Sequence, residues 1–88
     1  FILLDYSREL EKQLNRFNQD LVEFKLHRGG HIDAITSTGM NLLFYKENFR
    51  DQLERLENLI TFELVSGKLN NIKSIDLRYK KGISVLFI

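Results

Sequence analysis

The sequence predicts an α+β fold, a mainly antiparallel sheet of about five strands with two helices packed on one face. Two stretches repeat apolar residues at intervals of three and four, which is typical of amphipathic helices. Five shorter stretches have the pattern of strands, and several of them alternate apolar and polar residues, as half-buried strands do. The connections without a helix are short enough only for hairpins, which pair strands antiparallel. We expect residues 1–88 to form a single domain with a modest core.

The first half of the chain predicts a helix and then three strands. In residues 3–18 the apolar side chains that share one helical stripe are Leu3, Leu10, Leu14 and Phe17. From residue 21 the period changes to two, and strands are expected at 21–27, 32–36 and 40–45. In the first strand the residues expected to face the core are Val22, Phe24 and Leu26. Because glycine accepts a positive φ, turns are expected at Gly29-Gly30 and Thr38-Gly39.

The second half predicts another helix and a final hairpin. Asn48 is a candidate N-cap, and the helix is expected to run to about residue 62. Its apolar stripe consists of Phe49, Leu53, Leu56 and Ile60. The residues of this helix expected to face solvent are Glu54, Arg55 and Glu57. The last two strands are expected at 73–79 and 83–88, joined by a turn at Lys80-Lys81-Gly82.

The strand predicted at 73–79 places apolar and charged side chains on opposite faces. We expect Leu77 and Tyr79 to pack inward. Asp76 and Arg78 share the other face two residues apart, close enough for a surface ion pair worth ~0–1 kcal/mol.

Composition and charge indicate a soluble fold. Hydrophobic residues make up 43% and charged residues 28%, so disorder is not expected. The formal net charge is +1, but residues 68–88 set five cationic side chains against one acidic side chain. The cationic residues are Lys68, Lys73, Arg78, Lys80 and Lys81. A basic end of this kind suits an acidic partner, and a solvated face is the alternative.

The sequence offers little that could carry catalysis. The absence of cysteine excludes disulfides, thiolate metal sites and a cysteine nucleophile. His27 and His31 flank the Gly29-Gly30 turn near Asp33, but a closed metal site needs more ligands, so we expect solvated turn residues. We therefore expect no enzyme activity, no metal and no cofactor. No apolar run approaches the ~20 residues that cross a bilayer.

The last predicted hairpin contains a recognisable motif. Residues 75–85 read Ile-Asp-Leu-Arg-Tyr-Lys-Lys-Gly-Ile-Ser-Val. This run resembles a signature of the FtsQ/DivIB family of bacterial cell-division proteins, usually Val-Asp-Leu-Arg-Tyr, two variable residues, Gly, one residue, Ala, Val and, two positions later, an aromatic residue. Here Ser84 stands for the alanine and Phe87 for the usual tryptophan. The order of predicted elements is similar to the family's over nearly the whole chain, although Tyr45 replaces a glycine before the second helix.

The resemblance implies a role in the divisome without enzyme activity. Proteins of this family are single-pass inner-membrane proteins with a POTRA domain and a β domain outside the cytoplasm. This chain is similar to the β domain alone, without the POTRA domain or the membrane anchor, so a periplasmic location at the division septum is expected. The implied partners are FtsB and FtsL, with a partner segment pairing beside the last strands, and no nucleic acid or small-molecule substrate. The residues on which this role would fall are Ser74, Asp76, Arg78, Tyr79, Gly82, Ser84, Leu86, Phe87 and Ile88.

The last predicted strand is apolar on both faces. Leu86 and Ile88 lie on one face of this strand and Val85 and Phe87 on the other, so one of the two apolar sets must be covered by other residues. A helix of this domain, or a partner strand or helix at the sheet edge, would provide this cover. A second reading of the function stays open, a small α+β binding module that holds nucleic acid through the basic hairpin.

Overall fold

The computed structural model describes residues 2–67, 71–78 and 82–88. Its elements, in chain order, are α1 (Ile2–Asn15), β1 (Leu21–Leu26), β2 (His31–Thr36), β3 (Asn41–Tyr45), α2 (Phe49–Ser66), β4 (Ile72–Asp76) and β5 (Ser84–Phe87). The α+β fold predicted from the sequence is confirmed, with two helices and five strands in the described part of the chain. Lys80 and Lys81, where a turn was predicted, and Tyr79 before them lie outside the described residues.

The strands form one sheet in the order β1-β2-β3-β4-β5, so β1 and β5 are its two edges. Neighbouring strands pair antiparallel except β3 and β4, which run parallel. The parallel pair follows from the connection, because α2 carries the chain back across the sheet before β4 begins. The mainly antiparallel sheet is therefore confirmed.

The core lies between the helices and one face of this sheet. Its sheet side consists of Ile32, Ala34, Leu42, Phe44, Ile75 and Leu77, all completely buried. Its helix side consists of Leu10 and Leu14 from α1 and Phe49, Leu53, Leu56 and Ile60 from α2. Apolar residues from both helices belong to one buried cluster with these sheet residues, so both helices cover the same face, as predicted.

The two helices end at residues with positive φ. After α1, Asn18 has φ of 61°, Asn18 N donates to Asn15 O at 3.2 Å, and Gln19 N donates to Leu14 O at 3.0 Å. These two bonds make a Schellman ending, which stops α1 before residue 18, the predicted end. The helix α2 continues to Ser66, past the predicted end near 62, and Gly67 follows with φ of 79°.

The edge strand β1 differs from the prediction. Its register shifts between Leu21 and Glu23, which indicates a bulge at Val22. The prediction that Val22 and Leu26 face the core is wrong: Val22 is 67% exposed and Leu26 is also exposed. Only Phe24 of the predicted set packs against the core, with Leu21 beside it. The bulge breaks the simple alternation, and an edge strand is only partly covered by the helices.

Candidate functional site

The described members of the predicted partner-binding set lie in β4 and β5 and in the residues that flank these strands. Ser74 and Asp76 pair with Leu86 and Ser84, respectively, so these four residues share the face of the sheet that the helices leave open. Val85 pairs with Ile75 on the helix side. The predicted residue Tyr79 lies outside the described residues. We call the face with Ser74 and Asp76 the open face.

One edge of the sheet is formed by β5, which the sequence alone could not establish. Ile88 N donates to Asn71 O at 2.7 Å, toward the β4 side. Backbone groups of successive strand residues point to opposite sides of the strand. Leu86 and Ser84 therefore direct their N–H and C=O groups toward β4, whereas those of Val85 and Phe87 face the free edge.

Apolar side chains remain exposed along this edge. Leu86 is 54% exposed on the open face, Phe87 is 43% exposed on the helix side, and Ile88 is 88% exposed. Val85 is only partly buried against the core. The expectation of an apolar set that needs a cover thus applies to both faces of β5 at its end.

A side chain of α2 is hydrogen-bonded to the residues that follow β4 and precede β5. Arg55 Nη1 donates to Gly82 O at 2.9 Å, and Arg55 Nη2 donates to Leu77 O at 3.3 Å. Asp51 lies one helical turn earlier, with its Oδ2 at 3.4 Å from Arg55 Nε. The prediction that Arg55 faces solvent is wrong, because its two carbonyl partners come from a part of the chain more than twenty residues away. In the sequence, the spacing of four between Asp51 and Arg55 was the only local feature that indicated a partner for the Arg55 side chain.

Charged and aromatic side chains meet on the open face at the end of β4. Arg78 Nε and Nη2 donate to Asp76 Oδ1 and Oδ2 at 2.9 and 2.8 Å, which confirms the predicted ion pair. These side-chain hydrogen bonds are the main reason why the pKa of Asp76 lies below its ordinary value, while partial burial opposes them. Arg78 Nη1 also lies 3.3 Å from His31 Nδ1, and the His31 ring packs on Tyr45 with centroids 4.6 Å apart.

The two histidines therefore have different environments. His27 is an exposed turn residue, as expected, and its Nε2 lies 2.7 Å from Asp33 Oδ2. His31 is the first residue of β2 and contacts side chains from β3 and the end of β4, so the prediction of a solvated turn residue is wrong for it. Among the described residues, no three His, Asp or Glu side chains are grouped as metal ligands.

Outside the hairpin, a depression lies between α1 and α2. It has a volume of about 640 Å³ and is lined largely by charged side chains. Two of its ion pairs join the helices, Arg50 to Glu9 and Arg16 to Glu57, both at 3.0 Å. Opposite charges that pair with each other leave no strong field for a charged ligand.

The chain matches no protein-family model, and no curated protein matches it. In the described part of the chain, neither helix has the length and apolar character to cross a bilayer.

Proposed function

We propose that this chain is a non-enzymatic binding domain that accepts an extended segment of a partner protein along β5. From the motif at residues 75–85, we further propose that it is a β domain of an FtsQ/DivIB-type division protein, extracytoplasmic and held at the septum by a membrane anchor elsewhere in the protein. The partner segment would then belong to a division protein similar to FtsB or FtsL.

The observation that carries this proposal is the combination of a free backbone edge with exposed apolar side chains on the same short strand. An added strand would pair with the outward backbone groups of Val85 and Phe87. Each such hydrogen bond contributes only ~0.5–1.5 kcal/mol net, whereas association costs ~4–15 kcal/mol. Side chains must therefore supply the rest, and fully burying a Leu, Ile or Phe contributes ~1.5–3 kcal/mol. Leu86, Phe87 and Ile88 are the available anchors.

The opposite edge of the sheet is less suited to strand addition. The edge strand β1 has a bulge at Val22 and charged side chains at Glu23 and Lys25, which form an ion pair at 2.9 Å. The hydrogen bond that Lys25 donates to Glu23 raises the pKa of Lys25 and favours its cationic form. Bulges and edge lysines are features that discourage pairing with another chain. The β5 residues Ser84–Phe87 contain no charged side chain.

A charge placed on β5 tests the proposal. We expect Leu86→Glu to weaken binding to the extracytoplasmic segment of an FtsB-like protein by more than tenfold, or ~1.4 kcal/mol, because docking would desolvate the carboxylate. The circular dichroism spectrum should not change, since Leu86 is more than half exposed. Val22→Glu is the matched control, because Val22 is an apolar residue on the opposite edge that is also more than half exposed, and this variant should bind like the unmodified protein.

Amide hydrogen exchange tests the geometry of docking. The bound partner should slow exchange at Val85 and Phe87, whose N–H groups face the free edge. It should have less effect at Leu86, whose N–H already faces β4. A folded Leu86→Glu variant with normal affinity, or a partner that leaves the exchange of Val85 and Phe87 unchanged, would show that β5 is not the docking edge.

The alternative of nucleic-acid binding has a different signature. Binding to phosphates weakens steeply as salt rises, whereas an apolar edge contact does not. Of the cations near the hairpin, Arg78 is already paired with Asp76, and Lys68, Lys80 and Lys81 lie outside the described residues. The exposed apolar side chains of Leu86, Phe87 and Ile88 are the observation that favours the edge contact.

A further inference from the structure

Arg78 lies between a carboxylate and an imidazole on the open face. Two of its nitrogens donate to Asp76, and Nη1 lies 3.3 Å from His31 Nδ1. An arginine side chain has only donors and stays cationic in proteins. His31 Nδ1 must therefore be the acceptor, which requires a neutral imidazole with its proton on Nε2.

We propose that the contact between His31 and Arg78 is a pH-sensitive link between β2 and the β4–β5 hairpin. A neutral His31 accepts from Arg78 and joins the start of β2 to the end of β4 across β3. A protonated His31 has donors on both ring nitrogens, so it cannot accept. It also places a second cation beside the guanidinium. Protonation thus breaks the link, and histidine is the side chain that ordinarily changes charge between pH 5 and 8.

Other ionisable groups surround this contact. The β1 side contributes His27, which is paired with Asp33 of β2 at 2.7 Å, and Lys25, which lies opposite Asp33. The β3 side contributes the Tyr45 ring, 4.6 Å from the imidazole, followed by Lys46. From β4 and its end come Asp76 and Arg78. His27 is the only other histidine in the sequence and serves as the natural control.

The contact between His31 and Arg78 is connected to the β4–β5 hairpin through Asp76 and through the residues next to Arg78. Asp76 pairs with Ser84, the first residue of β5. Arg78 follows Leu77, whose carbonyl is fixed to α2 by Arg55. Release of Arg78 from His31 removes the side-chain contact between the hairpin and β2 on the open face. The hydrogen bonds from Arg55 of α2 stay in place. We therefore expect a looser β5 in the protonated state and not an unfolded domain. The effect on partner docking rests on the proposed function, because docking requires an ordered edge.

Substitutions of His31 can imitate its neutral and its protonated state. His31→Asn keeps an acceptor near the position of Nδ1 and cannot take up a proton. His31→Lys places a permanent cation there. At pH 7, amide exchange at Ser84 and Leu86, whose N–H groups face β4, should be roughly two- to tenfold faster in His31→Lys than in His31→Asn, which corresponds to the loss of one net hydrogen bond. Equal rates in the two variants would overturn the proposal.

A titration of the unmodified domain by NMR tests the same idea without substitutions. The Arg78 Nε–Hε signal should move with the imidazole signal of His31 between pH 8 and pH 5. The movement should persist in His27→Gln and disappear in His31→Asn. An Arg78 signal that does not move while the His31 signal moves, or that still moves in His31→Asn, would refute the link.

Neither measurement requires a partner, so both remain informative if the proposed docking role is wrong. With the FtsB-like segment as probe, affinity should fall from pH 8 to pH 5.5 in the unmodified domain and stay constant in His31→Asn. Binding that shows no pH dependence, with an intact NMR titration, would remove only the effect on docking.

Discussion

Leu77 offers the sharpest test of the packing. It is completely buried at the end of β4, where the sheet meets α2. Its N–H donates to Leu43 O at 2.9 Å, and its carbonyl accepts from Arg55 at 3.3 Å. Leu77→Ala removes most of the side chain, and large-to-small changes of this kind cost ~2–5 kcal/mol, more where the surroundings cannot collapse into the cavity. Because the backbone of Leu77 is held from both sides, we expect the free energy of unfolding to fall by ~3–5 kcal/mol, the upper part of this range.

Urea unfolding followed by circular dichroism measures this loss. In a domain of this size 1 kcal/mol corresponds to ~4–8 °C in Tm, so thermal unfolding should show a large shift as well. Leu86→Ala is the matched control, the same chemical change on the adjacent strand at a residue that is 54% exposed. It should change the free energy of unfolding by no more than ~0.5 kcal/mol. Equal effects of the two substitutions would refute the assignment of the core face of the hairpin.

Two further substitutions test polar contacts. The buried Gln52 accepts from Tyr45 N at 2.9 Å and donates to Tyr45 O at 3.0 Å and to Glu47 O at 2.7 Å, so Gln52→Leu should destabilise the domain by ~1–3 kcal/mol in urea unfolding. An unchanged midpoint would show that water replaces all three bonds. Asp76 has a lowered pKa in the folded state, so its contribution to stability is present above the unfolded value of ~3.9 and is lost as pH falls through the folded value. The stability difference between the unmodified protein and Asp76→Asn should therefore shrink between pH 6 and pH 3, and a constant difference would contradict the role of Arg78.

The sequence was sufficient for features that depend on local pattern. The period of two and the helical stripes located all seven elements, and Leu77 and the Asp76–Arg78 pair follow directly from alternation on one strand. The errors at Arg55 and His31 have a common cause, because the contacts of both side chains involve residues that are distant in the chain. Arg55 is held by carbonyls of the last hairpin, and His31 contacts a residue 47 positions away.

The sequence pattern also could not show which strands form the edges of the sheet. Alternation in β1 indicates which side chains could face the core, but not whether a helix extends far enough to cover them. Val22 is exposed because it lies at a bulge in an edge strand. In the candidate site, the apolar character of β5 was predictable from the sequence. Its position at the edge depends on α2 returning the chain to the far side of β3.

The parallel pairing of β3 and β4 has a consequence for how the domain folds and opens. The strands β1, β2 and β3 join through two short turns, whereas β4 pairs with β3 only after the whole of α2, along just three register positions. Contacts between distant residues form later, because the intervening loop must first be closed. We therefore expect the last hairpin to join a preformed three-stranded unit and to detach from it at a lower free energy than global unfolding. A ligand on β5 would then raise the local stability of the hairpin before that of the rest of the domain.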